Sequence, residues 1–385
     1  MKSSKNLITC SYTRDSFSFL PPKLANQGLS VFKIDENGQF SLSFTDSTVE
    51  NPAFCVNFRN LLFVASENID IQDEIFVFEI IREEEKEQNN LIKELKFLQK
   101  VSTFGQSACY LTFAEHNNQD FLLCVNYWDS TICCYKINSS DLQPLTLHQV
   151  IPGGKTPPNK QHHEGKNRHT EAHFHSIIQD SKKGHKNYVY VGNLGTDNLK
   201  IYNFSNKHSK LYEVESVCPG FAEFRHENSF HGPRHLAIHS DPDLDILYAA
   251  NEISATVSVY QMINKENDIT ESGRLKLIQT IPTKGHDNPA GIFILNNHLL
   301  TSNRGSDTIS IFPIDKSTGK LSEPKLFDSG VNIPRGFTID EESGRVVVCG
   351  QNSNDLVMFS FDSERCDLEV VSKIDVDCPN FALVL

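Results

Sequence analysis

Residues 233–262 read PRHLAIHSDPDLDILYAANEISATVSVYQM: an apolar run, a polar turn rich in Asp and Pro, a second run ending at Asn251, a tight polar turn, and a third run closing on Tyr260. The runs are short, carry β-branched and aromatic residues, and are bounded by turn formers, so they read as three antiparallel strands. The same order recurs from Pro52, Ser107, His173, Pro289 and Pro334, making six copies in all. In five of them the residue ending the second run (Asn126, Asn193, Asn251, Asn303, Gly350) stands nine positions before an aromatic of the third (Tyr135, Tyr202, Tyr260, Phe312, Phe359). An offset that survives loops of different length marks one supersecondary unit repeated along the chain.

The two ends supply the remaining unit. CPNFALVL at residues 378–385 looks like an opening turn and first strand, while NLITCSYT (6–13) and GLSVFKI (28–34) look like second and third strands. Seven units of about 55 residues use all 385 positions. The prediction is an all-β chain, one seven-bladed β-propeller over residues 1–385, closed by N- and C-terminal strands that share a blade. Closure hides the sheet edges, so a monomer suffices to bury them; a sandwich would not explain matching half-units at the two ends. Residues 82–100 are charged and space Leu91, Leu95 and Leu98 as a helix would, which predicts a solvated insertion between blades. Residues 153–172 and 205–232 read as long polar loops that deliver the chain to the side where first strands begin, the side on which functional residues gather.

Composition narrows the class of partner. With 38% hydrophobic and 22% charged residues the chain can build a large core, and a net charge of −13 repels nucleic acid and acidic lipid surfaces. No apolar run approaches the length of a membrane span and the start carries no secretory pattern, so the expected address is the cytosol. The ten cysteines are scattered without a CxxC pair and read as reduced thiols. Walker A, GxGxxG, GxSxG and HExxH motifs are all missing, and no cofactor or metal is called for.

First strands line the channel of a propeller, so polar residues at their starts face a shared pocket. The repeat aligns His173, Phe174 and His175 with Pro233, Arg234 and His235, and Arg335 with Arg234. A second ring comes from the turns after second strands, where Glu252 follows Asn251 and Arg304 follows Asn303. Guanidinium groups bind carboxylate or phosphate and stabilise an oxyanion, and histidine activates water near neutral pH; the set suits an anionic ester or lactone. The plainer alternative is that the histidines bond backbone and the arginines pair with acids between blades, with Glu252 held by Arg304 or Arg234.

At these residues the chain resembles the seven-bladed propeller lactonases, which include propeller-type 6-phosphogluconolactonases and carboxymuconate-cyclising enzymes. AHFHSI (172–177) resembles the family's Pro-His-x-His-Ser segment, GPRHLAIH (232–239) its Gly-Pro-Arg-His segment, and SNRGSDTISIF (302–312) its Ser-Asn-Arg-Gly segment. Ala172 replaces a common proline, and Ser306 a common histidine. The resemblance implies a hydrolase opening 6-phosphoglucono-δ-lactone in carbohydrate metabolism, with His175, Arg234, Glu252 and Arg304 as the active site. His175 would take a proton from water, Arg234 or Arg304 would hold the oxyanion, and Glu252 would orient a partner or shuttle the proton. His173, His235 and Arg335 are the candidates for substrate contacts.

Other readings compete. A muconate-type lactonising enzyme would use the same arginines for two carboxylates. A calcium-dependent lactonase would use Asn126, Asn193, Asn251 and Glu252 as oxygen ligands, and the histidines of QHHEGKNRHTEAHFH would hold zinc only adventitiously. A non-catalytic interaction scaffold is the reading from another class; Trp128–Asp129 is the one Trp-Asp pair, in a turn rather than at the end of a third strand as WD repeats require.

Overall fold

The computed structural model describes residues 4–15, 23–83, 91–153, 171–180, 187–224, 230–241, 243–263, 273–286 and 288–385. Seven four-stranded antiparallel sheets form a ring. Blades are numbered by their innermost strands: Pro52–Phe58, Ala108–His116, Phe174–Gln179, Pro233–Ile238, Pro289–Leu295, Pro334–Asp340 and Pro379–Val384. In blade 7 the innermost strand is C-terminal, and Lys5–Ser11, Leu29–Ile34 and Phe40–Asp46 complete it from the N-terminus. Among the described residues no helix is long and apolar enough to cross a membrane.

Burial follows position in the blade. Second strands such as Leu61–Ser66, Tyr188–Asn193 and Ile246–Asn251 are buried at every residue, because both their faces pack on neighbouring blades. Outermost strands such as Phe40–Asp46 and Leu211–Val217 are largely exposed. All ten cysteines are free thiols, nine of them buried.

One turn explains the nine-residue offset. Four positions after the end of the second strand, Ser130, Asp197, Ala255, Asp307 and Asn354 all adopt left-handed φ between 52° and 58°. The chain therefore reverses identically in five blades. The asparagines ending the second strands hold this turn: Asn251 Nδ2 donates to Thr256 and Ser258 (2.9 Å each), and Asn303 Nδ2 to Thr308 (3.1 Å) and Ser310 (2.8 Å). The aromatics nine positions on anchor each blade to the one before it, as where Tyr260 donates to Cys218 O (3.0 Å) and Tyr135 to Ser102 O.

Three expectations are corrected. Residues 84–90 lie outside the described residues, but the rest of the predicted insertion is blade: Glu74–Arg82 pairs with a fourth strand, Ile92–Ser102. Register shifts at Val77/Phe78 and Ile81/Arg82 break the two-residue alternation, which is how Leu91, Leu95 and Leu98 fall at helix-like intervals. The charges are cross-strand pairs, Lys96 with Glu79 and Lys100 with Glu74 (3.0 Å each). The expected loop 205–232 contains the fourth strand Leu211–Val217 and a short 3-10 turn, Ala222–Phe224; residues 225–229, and 154–170 of the other loop, lie outside the described residues. Finally, Phe174 pairs with Asn193 where Pro233 pairs with Asn251, so His175 corresponds to Arg234 and the alignment shifts by one residue.

Candidate active site

Every innermost strand carries a bulge just after its first residue, with register breaks at Pro52/Phe54, Ala108/Tyr110, Phe174/Ser176, Pro233/Leu236, Pro289/Ile292, Pro334/Gly336 and, at its partner, Cys10/Ser11. A bulge inserts one residue and re-aims its side chain. The residues so placed are Ala53, Cys109, His175, Arg234, Ala290, Arg335 and Asn380. All but Ala290 line a small chamber of about 40 Å³ in the channel. The residues that follow the second strands form the tier nearer the mouth, where Glu67, Tyr127, Glu252, Arg304 and Gln351 line a pocket of about 320 Å³. His175, Glu67 and Arg335 border both spaces.

Two buried carboxylates organise the charges. Glu252 Oε2 lies 3.0 Å from Arg234 Nε and 2.6 Å from Arg304 Nη2. Arg234 is anchored further by donating to Ala290 O (2.7 Å), and Arg304 by Nε to Asn288 O (3.2 Å). Glu67 accepts from Tyr12 (2.6 Å) and Ser107 (2.9 Å), with Arg335 Nη2 at 3.9 Å. Burial lowers the Arg234 pKa to about 9, with Arg304 adding to the fall and Glu252 opposing it, so the group stays cationic at neutral pH. Burial also opposes the Arg335 charge, but Tyr12 and Glu67 outweigh it and hold that guanidinium protonated. Three guanidiniums against two carboxylates leave a local positive excess in a chain of net charge −13, which favours an anionic ligand.

His175 is 8% exposed, and its Nδ1 is buried without a hydrogen-bond partner among the described residues. Burial first, then Arg234 and the other two arginines, push its pKa well below 6.5, so the imidazole is neutral and able to accept a proton. His235 lies 5.3 Å from it, ring to ring, and faces the lower chamber; burial, with Arg234 and His175 beside it, lowers its pKa in the same way.

The family described as "Lactonase, 7-bladed beta-propeller" matches residues 7–384. The chain belongs to this lactonase family. A Bacillus subtilis relative named 6-phosphogluconolactonase is 25% identical over 366 residues, covering 93% of this chain and 94% of its own. The solved structure of a Bacteroides fragilis protein superposes with TM-score 0.77 at 21% identity, over 100% of this chain and 98% of that one. The Pseudomonas aeruginosa protein named periplasmic gluconolactonase gives 0.76 at 19% identity, over 100% and 99%. At these identities the two structures speak for the fold alone.

Within this lactonase fold, four of the sequence candidates, His175, Glu252, Arg304 and Arg335, meet at the mouth pocket. Arg234 and His235 lie in the chamber beneath it. His173 borders neither space; its ring stacks on Tyr127 at 4.6 Å and its Nδ1 faces Tyr127 O at 3.1 Å. Sequence reading missed Glu67, Tyr12, Ser107, Tyr127 and Gln351. A signal for four of them was present, because Tyr12, Glu67, Tyr127 and Gln351 follow Ser11, Ser66, Asn126 and Gly350 as Glu252 follows Asn251.

Proposed function

We propose that this protein hydrolyses the ring ester of an anionic sugar lactone, with 6-phosphoglucono-δ-lactone as the substrate and 6-phosphogluconate as the product. The observation that carries the reading is a buried imidazole, kept neutral by its surroundings, that borders one pocket with two guanidiniums, Arg304 and Arg335. The name of the Bacillus subtilis relative supports the choice within the lactone class.

In this mechanism His175 takes a proton from water as the water oxygen attacks the carbonyl carbon. Arg304, held by Glu252 and Asn288, faces the negative charge that develops on the carbonyl oxygen. When the tetrahedral species collapses, the ring C–O bond breaks and the departing oxygen takes the proton from His175, leaving a hydroxy acid. Arg335 receives the phosphate. Arg234 acts from beneath, through Glu252 and through its field on His175. That field makes imidazolium costly in the empty site, and an incoming anion that offsets the arginines raises the basicity of His175 as the substrate binds.

The test is the rate of 6-phosphogluconolactone opening by purified protein in chelator, corrected for spontaneous hydrolysis, beside His175→Ala with folding checked by circular dichroism. Metal-independent turnover that collapses in the variant supports the reading. No turnover by the intact protein on any sugar lactone overturns it.

A further inference from the structure

The Trp-Asp pair at 128–129 has no part in the chemistry above, yet the structure builds its tryptophan into the pocket. Trp128 and its neighbour Tyr127 supply the aromatic side of a pocket whose other lining residues include Glu67, Glu252, Arg304, Arg335 and His175. The turn that carries them is pinned from several sides. Tyr127 N donates to Ser107 O (2.7 Å), and Asp129 accepts from Gln106 N (2.7 Å) and Thr131 N (2.9 Å).

The indole itself is braced edge to face, by Tyr127 with ring centroids 5.3 Å apart and by His173 at 5.2 Å. His173 in turn is locked by its stack on Tyr127 and by its backbone N–H on Asn193 Oδ1 (2.9 Å). Three aromatic rings thus hold one another in place, and Trp128 keeps a partly exposed surface on the pocket. A preorganised indole costs little entropy on binding and offers a flat apolar face.

From this we infer that Trp128 is the platform for the sugar ring: the C–H face of a pyranose-like lactone lies on the indole while its hydroxyls and anionic group turn to the polar wall. His173 is a positioning residue for that platform and does not touch the ligand. The inference deepens the lactonase reading and rests on it for the choice of ring.

Trp128 is the sole tryptophan in the chain, so its emission reports this site directly. The experiment titrates D-glucono-δ-lactam, a ring analogue that resists hydrolysis, against the full chain and follows both fluorescence and binding heat. Saturable change in emission is expected to track the calorimetric isotherm. Trp128→Ala should weaken lactam binding by about tenfold and raise KM for the lactone with kcat within about twofold, and Trp128→Phe should restore most of the loss.

Lactam binding that leaves the emission unmoved, or that is equally tight in Trp128→Ala, overturns the platform, as does the absence of lactam binding to the intact protein. Binding that perturbs Trp128 in a protein that hydrolyses no lactone would overturn the catalytic reading and leave the platform standing.

Discussion

His175 can accept a proton only while it is neutral, and its surroundings keep it so. Because its pKa lies well below 6.5, the acid limb of kcat/KM for the lactone should fall well below pH 6.5, with activity flat from pH 6.5 to 8 after correction for spontaneous opening. Replacement by alanine should lower kcat by about a hundredfold or more. The same shift has a sign for stability. Between the folded and unfolded pKa values the unfolded chain binds more protons at both His175 and His235, so their contribution is complete above about pH 6.5 and drains away as the pH falls. Melting curves from pH 7 to pH 5 should show this loss, and His235→Phe, which cannot titrate, should make the slope shallower. Glu252 is the other sensitive position. Glu252→Ala strands Arg234 and Arg304 without their shared carboxylate and should cost about 3–5 kcal/mol in denaturant unfolding.

At the scale of elements, the turns after the second strands of blades 3 and 5 also tie one blade to the next. Asp197, in left-handed backbone that few side chains tolerate, accepts from His231 N and Gly232 N (2.8 Å each) at the start of blade 4. Asp307 does the same for Ile333 N (2.8 Å) before blade 6. Asp197→Ala removes the acceptor for both donors and should destabilise the chain by about 1.5–3 kcal/mol, whereas Asp197→Asn retains an acceptor oxygen and should recover much of it; thermal unfolding separates the two. These turns were legible because a fixed backbone reversal imposes a fixed spacing. The fourth strands were not, because they lie on the outer edge, half-exposed, with bulges that erase alternation, as Ile92–Ser102 shows.

Across the whole molecule, the ring depends on a seam between chain ends. Lys5–Ser11 pairs with Pro379–Val384 on one side and Leu29–Ile34 on the other, while Lys5 reaches Asp340 of blade 6 at 2.7 Å. Asn380, beside this seam, donates to Pro52 O (2.8 Å) and joins blade 7 to blade 1 under the site. Deleting residues 1–11 exposes two unpaired strand edges and frees the segment that brings Tyr12 to Glu67. Loss of the cooperative melt and increased light scattering are expected; an unchanged melt would show that six blades and an open seventh suffice.

The sequence by itself determined the repeat, the count of seven, the shared blade and most of the charged residues of the pocket, since a recurring turn writes a recurring spacing. Only the tertiary structure decided which of those residues share a wall. Strand pairing sets the alignment, Phe174 facing Asn193 as Pro233 faces Asn251, so His175 stands level with Arg234 rather than with His235. Glu67 and Arg335 meet because blades far apart in sequence converge on one channel, and the two carboxylates divide three arginines by distance and depth, which no local pattern encodes.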